Sequence, residues 1–183
     1  MSKYLVVTAI GEDRPGIVHE VIQLVSQCQC NIVDSRTVIF GQEFTMMMLV
    51  SGDWNAIGQI ESQLPLLARD HKLLTMIKRT GAHAPDDYGD LVEMTLETDD
   101  RPGIISQVTR FLAEHKVNLG ALSSSVTPGE QGERLHVTLR INLPQGLSVD
   151  DLEGQLTPFG QAERLNLTLS RLTQHSEIRH EES

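Results

Sequence analysis

Two short loops carry the residue types that most readily bind a small charged ligand. Their sequences are Asp13-Arg14-Pro15-Gly16-Ile17-Val18 and Asp100-Arg101-Pro102-Gly103-Ile104-Ile105. Each precedes an apolar segment with helical spacing, and proline fits the first turn of a helix because it lacks an N–H and fixes φ near the helical value. Glycine lets a ligand approach the backbone closely. The pattern therefore predicts a glycine-containing loop that opens a helix.

The chemistry expected at such a loop is recognition of a zwitterion. The first-turn N–H groups, beside the positive end of the helix, would bind a carboxylate. These groups belong to Gly16, Ile17 and Val18 in the first loop and to Gly103, Ile104 and Ile105 in the second. The carboxylate of Asp13 or Asp100 would accept a hydrogen bond from the ammonium group of the ligand. The alternative is a tight turn in which the aspartate only caps the helix.

The remaining motifs do not form a catalytic or metal site. His19-Glu20-Val21-Ile22-Gln23 comes close to the zinc motif His-Glu-x-x-His, but Gln23 replaces the second histidine. Cys28 and Cys30 have no second pair elsewhere, which favours small hydrophobic roles over zinc binding. No nucleophile elbow or phosphate-binding glycine loop occurs. We therefore expect no enzyme activity, no metal and no cofactor.

The elements that must position the loops form an internal repeat. The sequence of the first loop recurs in the second loop, 87 residues further along the chain. The same displacement aligns Thr8 with Thr95 and Asn31 with Asn118. The repeat predicts two homologous domains, at residues 1–80 and 91–172, with a linker at 81–90 and a polar tail at 173–183. The two loops need not be equivalent, because Glu20 of the first repeat corresponds to Gln107 of the second.

Both repeats show the same order of elements, β-α-β-β-α-β. Alternating residues indicate strands, such as Val92 to Leu96, and apolar residues at helical spacing follow each loop. Gly41-Gln42 indicates a hairpin, Pro65 is expected to kink or split the second helix, and Ser148 with Asp151 is expected to cap the last one. The order predicts an α+β fold: two ferredoxin-like units, each with a four-stranded antiparallel sheet and both helices on one face.

One strand lacks the alternation of apolar and polar residues that is expected when one face of a sheet packs on the core and the other faces solvent. Residues 44–50, Phe-Thr-Met-Met-Met-Leu-Val, are apolar on both faces, unlike the equivalent strand at residues 135–141. We interpret the helix-free sheet face of the first domain as an interaction surface, where flexible methionines suit a partner. The alternative is that this face packs within the chain or in a homodimer.

Composition excludes some function classes. The 183 residues include 15 Lys+Arg and 25 Asp+Glu, a formal net charge of −10. Residues 83–183 hold 8 basic and 17 acidic side chains, so no basic stripe for nucleic acid is available. No apolar run approaches the length of a membrane span, no signal-peptide core follows Met1, and the two cysteines make no disulfide framework. A cytoplasmic protein is expected.

The repeated unit with Asp-Arg-Pro-Gly-Ile at its first strand–helix junction resembles the ACT domain family. The resemblance covers residues 3–80 and 91–172 and implies a regulatory module that binds amino acids at domain interfaces. The tandem pair also resembles bacterial repressors of a glycine cleavage operon, which bind a LysR-type activator rather than DNA and respond to glycine. The alternative is an amino-acid sensor that docks on a metabolic enzyme.

The resemblance also implies two further site residues. Asn31 and Asn118 open the second strand of each repeat and would complete an amino-acid site across a pair of domains. The alternative is that each asparagine only supplies the left-handed conformation with which a chain leaves a helix. Whether the domains pair within one chain or between two chains stays open.

Overall fold

The chain folds into two compact units that divide between residues 84 and 85. The structure is a computed structural model, and it describes residues 3–81, 90–130 and 132–172. Most of the predicted linker at 81–90 and the whole tail at 173–183 lie outside the described residues. Those boundaries therefore stay predictions.

The first unit contains four strands and two helices in the predicted order. They are β1 Lys3–Glu12, α1 Ile17–Gln27, β2 Asn31–Phe40, β3 Glu43–Gly52, α2 Trp54–His71 and β4 Leu74–Thr80. The strands form one antiparallel sheet in the order β2-β3-β1-β4. The hairpin expected at Gly41-Gln42 is present, since β2 and β3 pair up to Phe40 and Glu43.

The second unit repeats this arrangement. Its elements are β5 Leu91–Asp99, α3 Ile104–Glu114, β6 Asn118–Gly129, β7 Gly132–Asn142, α4 Val149–Glu163 and β8 Asn166–Arg171. The antiparallel sheet has the order β6-β7-β5-β8. The predicted α+β, ferredoxin-like class is confirmed for both units.

Each unit buries one face of its sheet under its two helices. In the first unit, Leu5 and Val7 of β1 and Met46 and Met48 of β3 are at most 1 % exposed and belong to one core cluster with both helices. Alternate residues of these strands point to the opposite face. Burial of the large apolar side chains is the main favourable contribution to folding.

The expected first-turn position of Pro15 and Pro102 is wrong, and so is the expected split of α2 at Pro65. The helices after the loops begin at Ile17 and Ile104, so Pro15 and Pro102 lie in the preceding turn rather than in the first helical turn. Pro65 does not split α2, which runs unbroken through 18 residues. Its buried residues, such as Ile60 and Leu64, hold that helix on the sheet and offset the lost hydrogen bond.

The predicted cap of the last helix is confirmed. Ser148 accepts from the Asp151 backbone N–H at 3.1 Å, and the Asp151 carboxylate accepts from the Ser148 backbone N–H at 3.3 Å. The two bonds form a capping box, which satisfies N–H groups that have no partner within the helix. This cap fixes where α4 begins.

Candidate functional site

The two Asp-Arg-Pro-Gly loops have the same backbone design. We call residues 13–16 loop 1 and residues 100–103 loop 2. The loops turn on Gly16 with φ +91° and on Gly103 with φ +95°, the left-handed region that favours glycine. The amide of Asp13 donates to the Gln42 carbonyl at 3.0 Å, which ties loop 1 to the tip of the β2–β3 hairpin. The amide of Asp100 makes the matching bond at 2.8 Å, to Glu133.

The capping alternative for the two aspartates is wrong. The N-cap residues are Gly16 and Gly103, and neither helix start has a side-chain cap. Asp13 and Asp100 are exposed, and among the described residues their carboxylates have no hydrogen-bond or ion-pair partner. Both carboxylates therefore remain available to accept from a ligand.

The first-turn residues offer a ligand their backbone rather than their side chains. Ile17 and Ile104 are at most 2 % exposed and belong to the two cores, while Val18 and Ile105 are half-buried. The Ile17 amide already donates to the Arg14 carbonyl at 3.2 Å. The expectation that three first-turn N–H groups of loop 1 are free is therefore wrong for Ile17.

The loop arginines contact other residues of their own unit. Arg14 donates to Glu20 Oε2 at 3.1 Å and lies 2.5 Å from His71 Nδ1. Arg101 donates to the carbonyl of Glu163, and its guanidinium lies 3.7 Å from the Glu163 carboxylate. Each arginine thus bridges its loop to the end of the second helix of its unit. The sequence alone did not indicate this role.

Within one unit, the asparagines lie far from the loops. Asn31 lies opposite Ser51, which pairs with Tyr4 at the start of β1, whereas loop 1 follows the end of β1 at Glu12. Eight residues of strand separate these two positions, about 27 Å at 3.4 Å per residue. Asn118 occupies the equivalent position in the second unit. The two predicted parts of the site can meet only if two domains pair.

Both asparagines open an exposed edge strand. β2 and β6 lie at the edge of their sheets, and nearly all their residues are exposed. Apolar side chains are among them, for example Val33 at 49 % and Val126 at 47 % exposure. A long exposed edge strand with apolar side chains is suited to pairing with another strand.

The helix-free sheet faces of the two units differ. We call this face of the first unit the open face. On β1, β3 and β4 its outward apolar residues are Val6, Ile10, Met47, Leu49, Leu74 and Met76. At the same positions, the second unit carries Glu93, Glu97, Thr138, Arg140, Asn166 and Thr168. Residues 46–50 therefore place apolar side chains on the two sheet faces in turn, whereas Thr45 is polar.

Two methionines of the open face are exposed and flank a buried threonine. Met47 and Met76 are 51 % and 61 % exposed, and between them lies Thr8, whose buried hydroxyl has no partner among the described residues. Met46 and Met48 belong to the core instead. Met76, on β4, was not recognised from the sequence. Leu73, Leu74, Met76 and Ile77 are all apolar, so the sequence does not show which face of this strand is buried.

The remaining candidate motifs form no metal centre. Among the described residues no group of three His, Cys, Asp or Glu side chains could hold a metal ion. Cys28 is buried and Cys30 half-buried, and both pack on the core of the first unit. Burial raises the pKa of both thiols, which keeps them protonated and poorly nucleophilic. Within the described part of the chain, no helix is long and apolar enough to cross a bilayer.

Known proteins resemble this chain along most of its length. The ACT domain family matches residues 3–78 and again residues 92–152. The glycine cleavage system transcriptional repressor of Escherichia coli K12 is 40 % identical over 152 residues, which span 82 % of this chain and 80 % of the repressor. The repressor of Shigella flexneri matches to the same extent.

Solved structures agree with these sequence matches. A crystal structure provisionally assigned as a glycine cleavage system transcriptional repressor is 35 % identical, covers 94 % of this chain and 99 % of its own, and superposes with a TM-score of 0.74. An uncharacterised protein from Galdieria sulphuraria, at 23 % identity and a TM-score of 0.76, shares the fold. The chain belongs to the ACT domain family and carries two copies of the domain in tandem.

Proposed function

We propose that this chain is an amino-acid-responsive transcriptional regulator without catalytic activity. The observation that carries the proposal is the pair of loops, each with a left-handed glycine, a helix start and an unpartnered aspartate. The relatives with 40 % identity are named as repressors of the glycine cleavage system. Glycine, or another small amino acid, is therefore the ligand we propose.

The proposed site combines a loop of one domain with the asparagine of another. When two edge strands pair antiparallel, the Asn31 or Asn118 end of one strand lies at the end of the sheet where the other domain has its loop. The exposed edges of β2 and β6 support such pairing, within one chain or between two. A homodimer would supply the second domain in the latter case.

Each residue of the proposed site has a role that its chemistry allows. The amides around Gly16 or Gly103 would bind the ligand carboxylate, and Asp13 or Asp100 would accept from its ammonium group. Asn31 or Asn118 would add a donor and an acceptor from the paired domain. Pro15 and Pro102 shape the turns, whereas Arg14 and Arg101 hold the loops in place through their own unit.

The proposed partner is a LysR-type transcriptional activator, and the chain does not bind DNA directly. A net charge of −10 repels the phosphate backbone, whereas it favours association with a basic DNA-binding protein. The open face of the first unit offers apolar area for such a contact. A cytoplasmic location follows from this proposal and stays a prediction.

Ligand and partner would be coupled by linkage. If glycine binds the partner-free chain more tightly than the complex, it weakens the complex by that difference and by no more. A coupling of about 1.4 kcal/mol changes partner affinity tenfold at saturation. A few hydrogen bonds at the two loops are enough to supply a coupling free energy of this size.

Calorimetric titration of the full chain with glycine tests the proposal, with serine and alanine as competing ligands. We expect saturable binding that falls at least tenfold in Asp13→Asn, in Asp100→Asn or in both. Asp150→Asn is the matched control, because it removes an exposed carboxylate at the start of α4, whereas loop 2 contacts the opposite end of that helix. Binding that survives both loop substitutions would refute the assigned site.

A second candidate function is an amino-acid sensor that regulates a metabolic enzyme by docking. The apolar open face favours protein docking but does not specify the class of partner. Retention of a LysR-type protein by the immobilised chain supports the first function, and retention of an enzyme supports the second. A salt-dependent shift of operator DNA by the chain alone would contradict both.

A further inference from the structure

The second helix and the last strand of one unit correspond to those of the other at a displacement of 92 residues. Each second helix ends at a left-handed residue, Lys72 in the first unit and Arg164 in the second. The sheet registers give the same displacement, because Arg79 of β4 and Arg171 of β8 pair with equivalent residues of the neighbouring strand. The grooves between these helices and strands can therefore be compared position by position.

In the first unit, an ion pair spans the groove between α2 and β4. Arg79 donates from two nitrogens to both carboxylate oxygens of Glu61, at 2.7 and 2.6 Å. Its guanidinium also lies 4.3 Å from the centre of the Trp54 ring. An arginine–carboxylate pair with two hydrogen bonds has a defined geometry. The Arg79 side chain therefore occupies the space between the helix and the edge strand.

The equivalent groove of the second unit is open. Glu153 stands where the first unit has Glu61, but Arg171 lies 3.7 Å from Asp150, about one helical turn nearer the start of α4. A pocket of about 300 Å³ lies between α4 and β8, and we call it the α4–β8 groove. Its apolar floor consists of leucines: Leu156, Leu165, Leu167 and Leu169.

Opposite charges lie at the two ends of the α4–β8 groove. Glu153 and Arg164 both line it, both are exposed, and neither side chain has a hydrogen-bond or ion-pair partner within the described ranges. They are separated by about 16 Å along the helix at 1.5 Å per residue. A single amino acid is too short to reach both charges, whereas an extended chain of about five residues covers that length. The groove therefore fits a linear, apolar occupant with a positive and a negative end.

β8 offers backbone hydrogen bonds along the same groove. In the part of the chain that the structure describes, β8 pairs with β5 and with no strand on its other side. A strand added to such an edge places alternate side chains on one face, here on the half-buried Leu167 and Leu169. β8 runs from Asn166 to Arg171 and so ends near the start of α4. An antiparallel strand would therefore begin at the Glu153 end.

We propose that the α4–β8 groove binds an extended peptide segment of a partner protein, added antiparallel to β8. Alternate apolar side chains of the segment pack on the leucine floor. A basic residue at the beginning of the segment pairs with Glu153, and an acidic residue at its end pairs with Arg164. The first unit does not bind such a segment at the same place, because Arg79 spans its groove. Binding here requires no ligand at loop 1 or loop 2.

Nitrogen-15 NMR of the full chain tests the proposal with one defined peptide, acetyl-Lys-Thr-Val-Thr-Val-Thr-Glu-amide. Its alternate side chains match the groove: a lysine, two valines and a glutamate. We expect saturable shifts of the amide resonances of residues 166–171, with a Kd of about 1 mM or tighter. The amides of residues 74–80, in β4, should not move. Absence of shifts in β8 at millimolar peptide, or equal shifts in both strands, overturns the proposal.

Charge reversal tests the orientation of the segment. Glu153→Lys should weaken binding by about threefold to tenfold, since it exchanges an exposed ion pair for a repulsion. A peptide whose lysine is replaced by glutamate should recover the affinity for this variant. Glu114→Lys is the matched control, because it makes the same charge change at an exposed position of α3 in the same unit. Equal loss of binding in the two variants, or no loss in either, overturns the assigned orientation.

Methylation of the peptide amides tests strand addition. Only alternate residues of an added strand donate to β8, so methylating either the valine amides or the threonine amides should abolish binding, and methylating the other set should not. Equal effects of the two sets overturn the added strand.

Two controls without peptide exclude other occupants. A chain that ends at Leu172 should give the same β8 resonances as the full chain, and dilution should not shift them. A shift on truncation would assign the groove to residues 173–183 of the chain itself. A shift on dilution would assign it to a second copy. Either result overturns the proposed partner segment.

Discussion

Replacing Gly16 with alanine isolates the backbone conformation of loop 1. Gly16 has φ +91° and ψ −13°, and a Cβ built there would meet no atom within 4 Å. The added methyl group therefore causes no clash, and its cost is that of holding an alanine in the left-handed region, about 1–2 kcal/mol. We expect Gly16→Ala to lower the free energy of unfolding of the first unit by that amount.

Gly58→Ala is the matched substitution in the same unit. Gly58 lies inside α2, where a Cβ also meets no atom within 4 Å. Alanine in a helix interior is more stable than glycine by about 0.5–1 kcal/mol. The two variants should therefore differ by about 1.5–3 kcal/mol, although both add one methyl group in open space.

Calorimetry and hydrogen exchange together measure the effect. A change of 1 kcal/mol shifts the melting temperature of a domain of 60–100 residues by about 4–8 °C. Hydrogen exchange at Leu5 and at Val92, in the two cores, shows which unit has changed, because a chain with two domains need not unfold in one step. If the Gly16→Ala variant is as stable as the Gly58→Ala variant, the left-handed conformation assigned to Gly16 is refuted. Gly103→Ala and Gly154→Ala repeat the comparison in the second unit.

Three further substitutions test the packing and charge of the first unit. Met48→Ala, at 1 % exposure, should lower the free energy of unfolding by about 2–5 kcal/mol in urea denaturation. Gly52→Ala should cost about 1–3 kcal/mol, because its Cβ would lie 2.8 Å from the Cys30 sulfur. The Arg79 hydrogen bonds hold the pKa of Glu61 below its ordinary value, so the pair stabilises the fold above the ordinary pKa and loses that effect as pH falls through the lowered one. Glu61→Gln should therefore be slightly less stable than wild type at pH 7 and equal to it in strong acid.

Each of these three substitutions has a result that would contradict it. Met47→Ala, on the open face, should change stability by less than about 0.5 kcal/mol, and an effect as large as that of Met48→Ala would contradict the strand register. Cys30→Ala should recover part of the loss in Gly52→Ala, since it removes the sulfur that the new methyl group meets. A Glu61→Gln deficit that persists in strong acid would show that the loss is not electrostatic.

Periodicity and turn chemistry were sufficient to predict the fold. The motif repeated at 87 residues indicated two equivalent units. Strands such as β5 and β7 alternate because successive side chains must face either the core or water. The helix start was misplaced by two residues, because proline is equally compatible with a turn and with a first helical position. The split expected at Pro65 is absent because the burial of Ile60 and Leu64 is a tertiary contribution that a local rule does not include.

The candidate site was predictable only in part. Asp13, Gly16 and their counterparts could be recognised from one motif that occurs twice, because local chain geometry determines what such a loop presents. The roles of the arginines depend on residues far along the chain, His71 and Glu163, which only folding brings to the loops. Long-range side-chain contacts of this kind leave no periodic pattern in the sequence.

The sequence by itself determined the duplicated β-α-β-β-α-β units, the two ligand-binding candidates and the apolar character of residues 44–50, since each depends on neighbouring residues or on a repeated spacing. Only the tertiary structure decided that the aspartates do not cap, that Asn31 lies about 27 Å from loop 1 of its own unit, and that His71 shares one nitrogen between Arg14 and Glu20. These outcomes depend on sheet register and on the packing of α2 beside the loop. Both are set by the burial of the whole core rather than by any local segment.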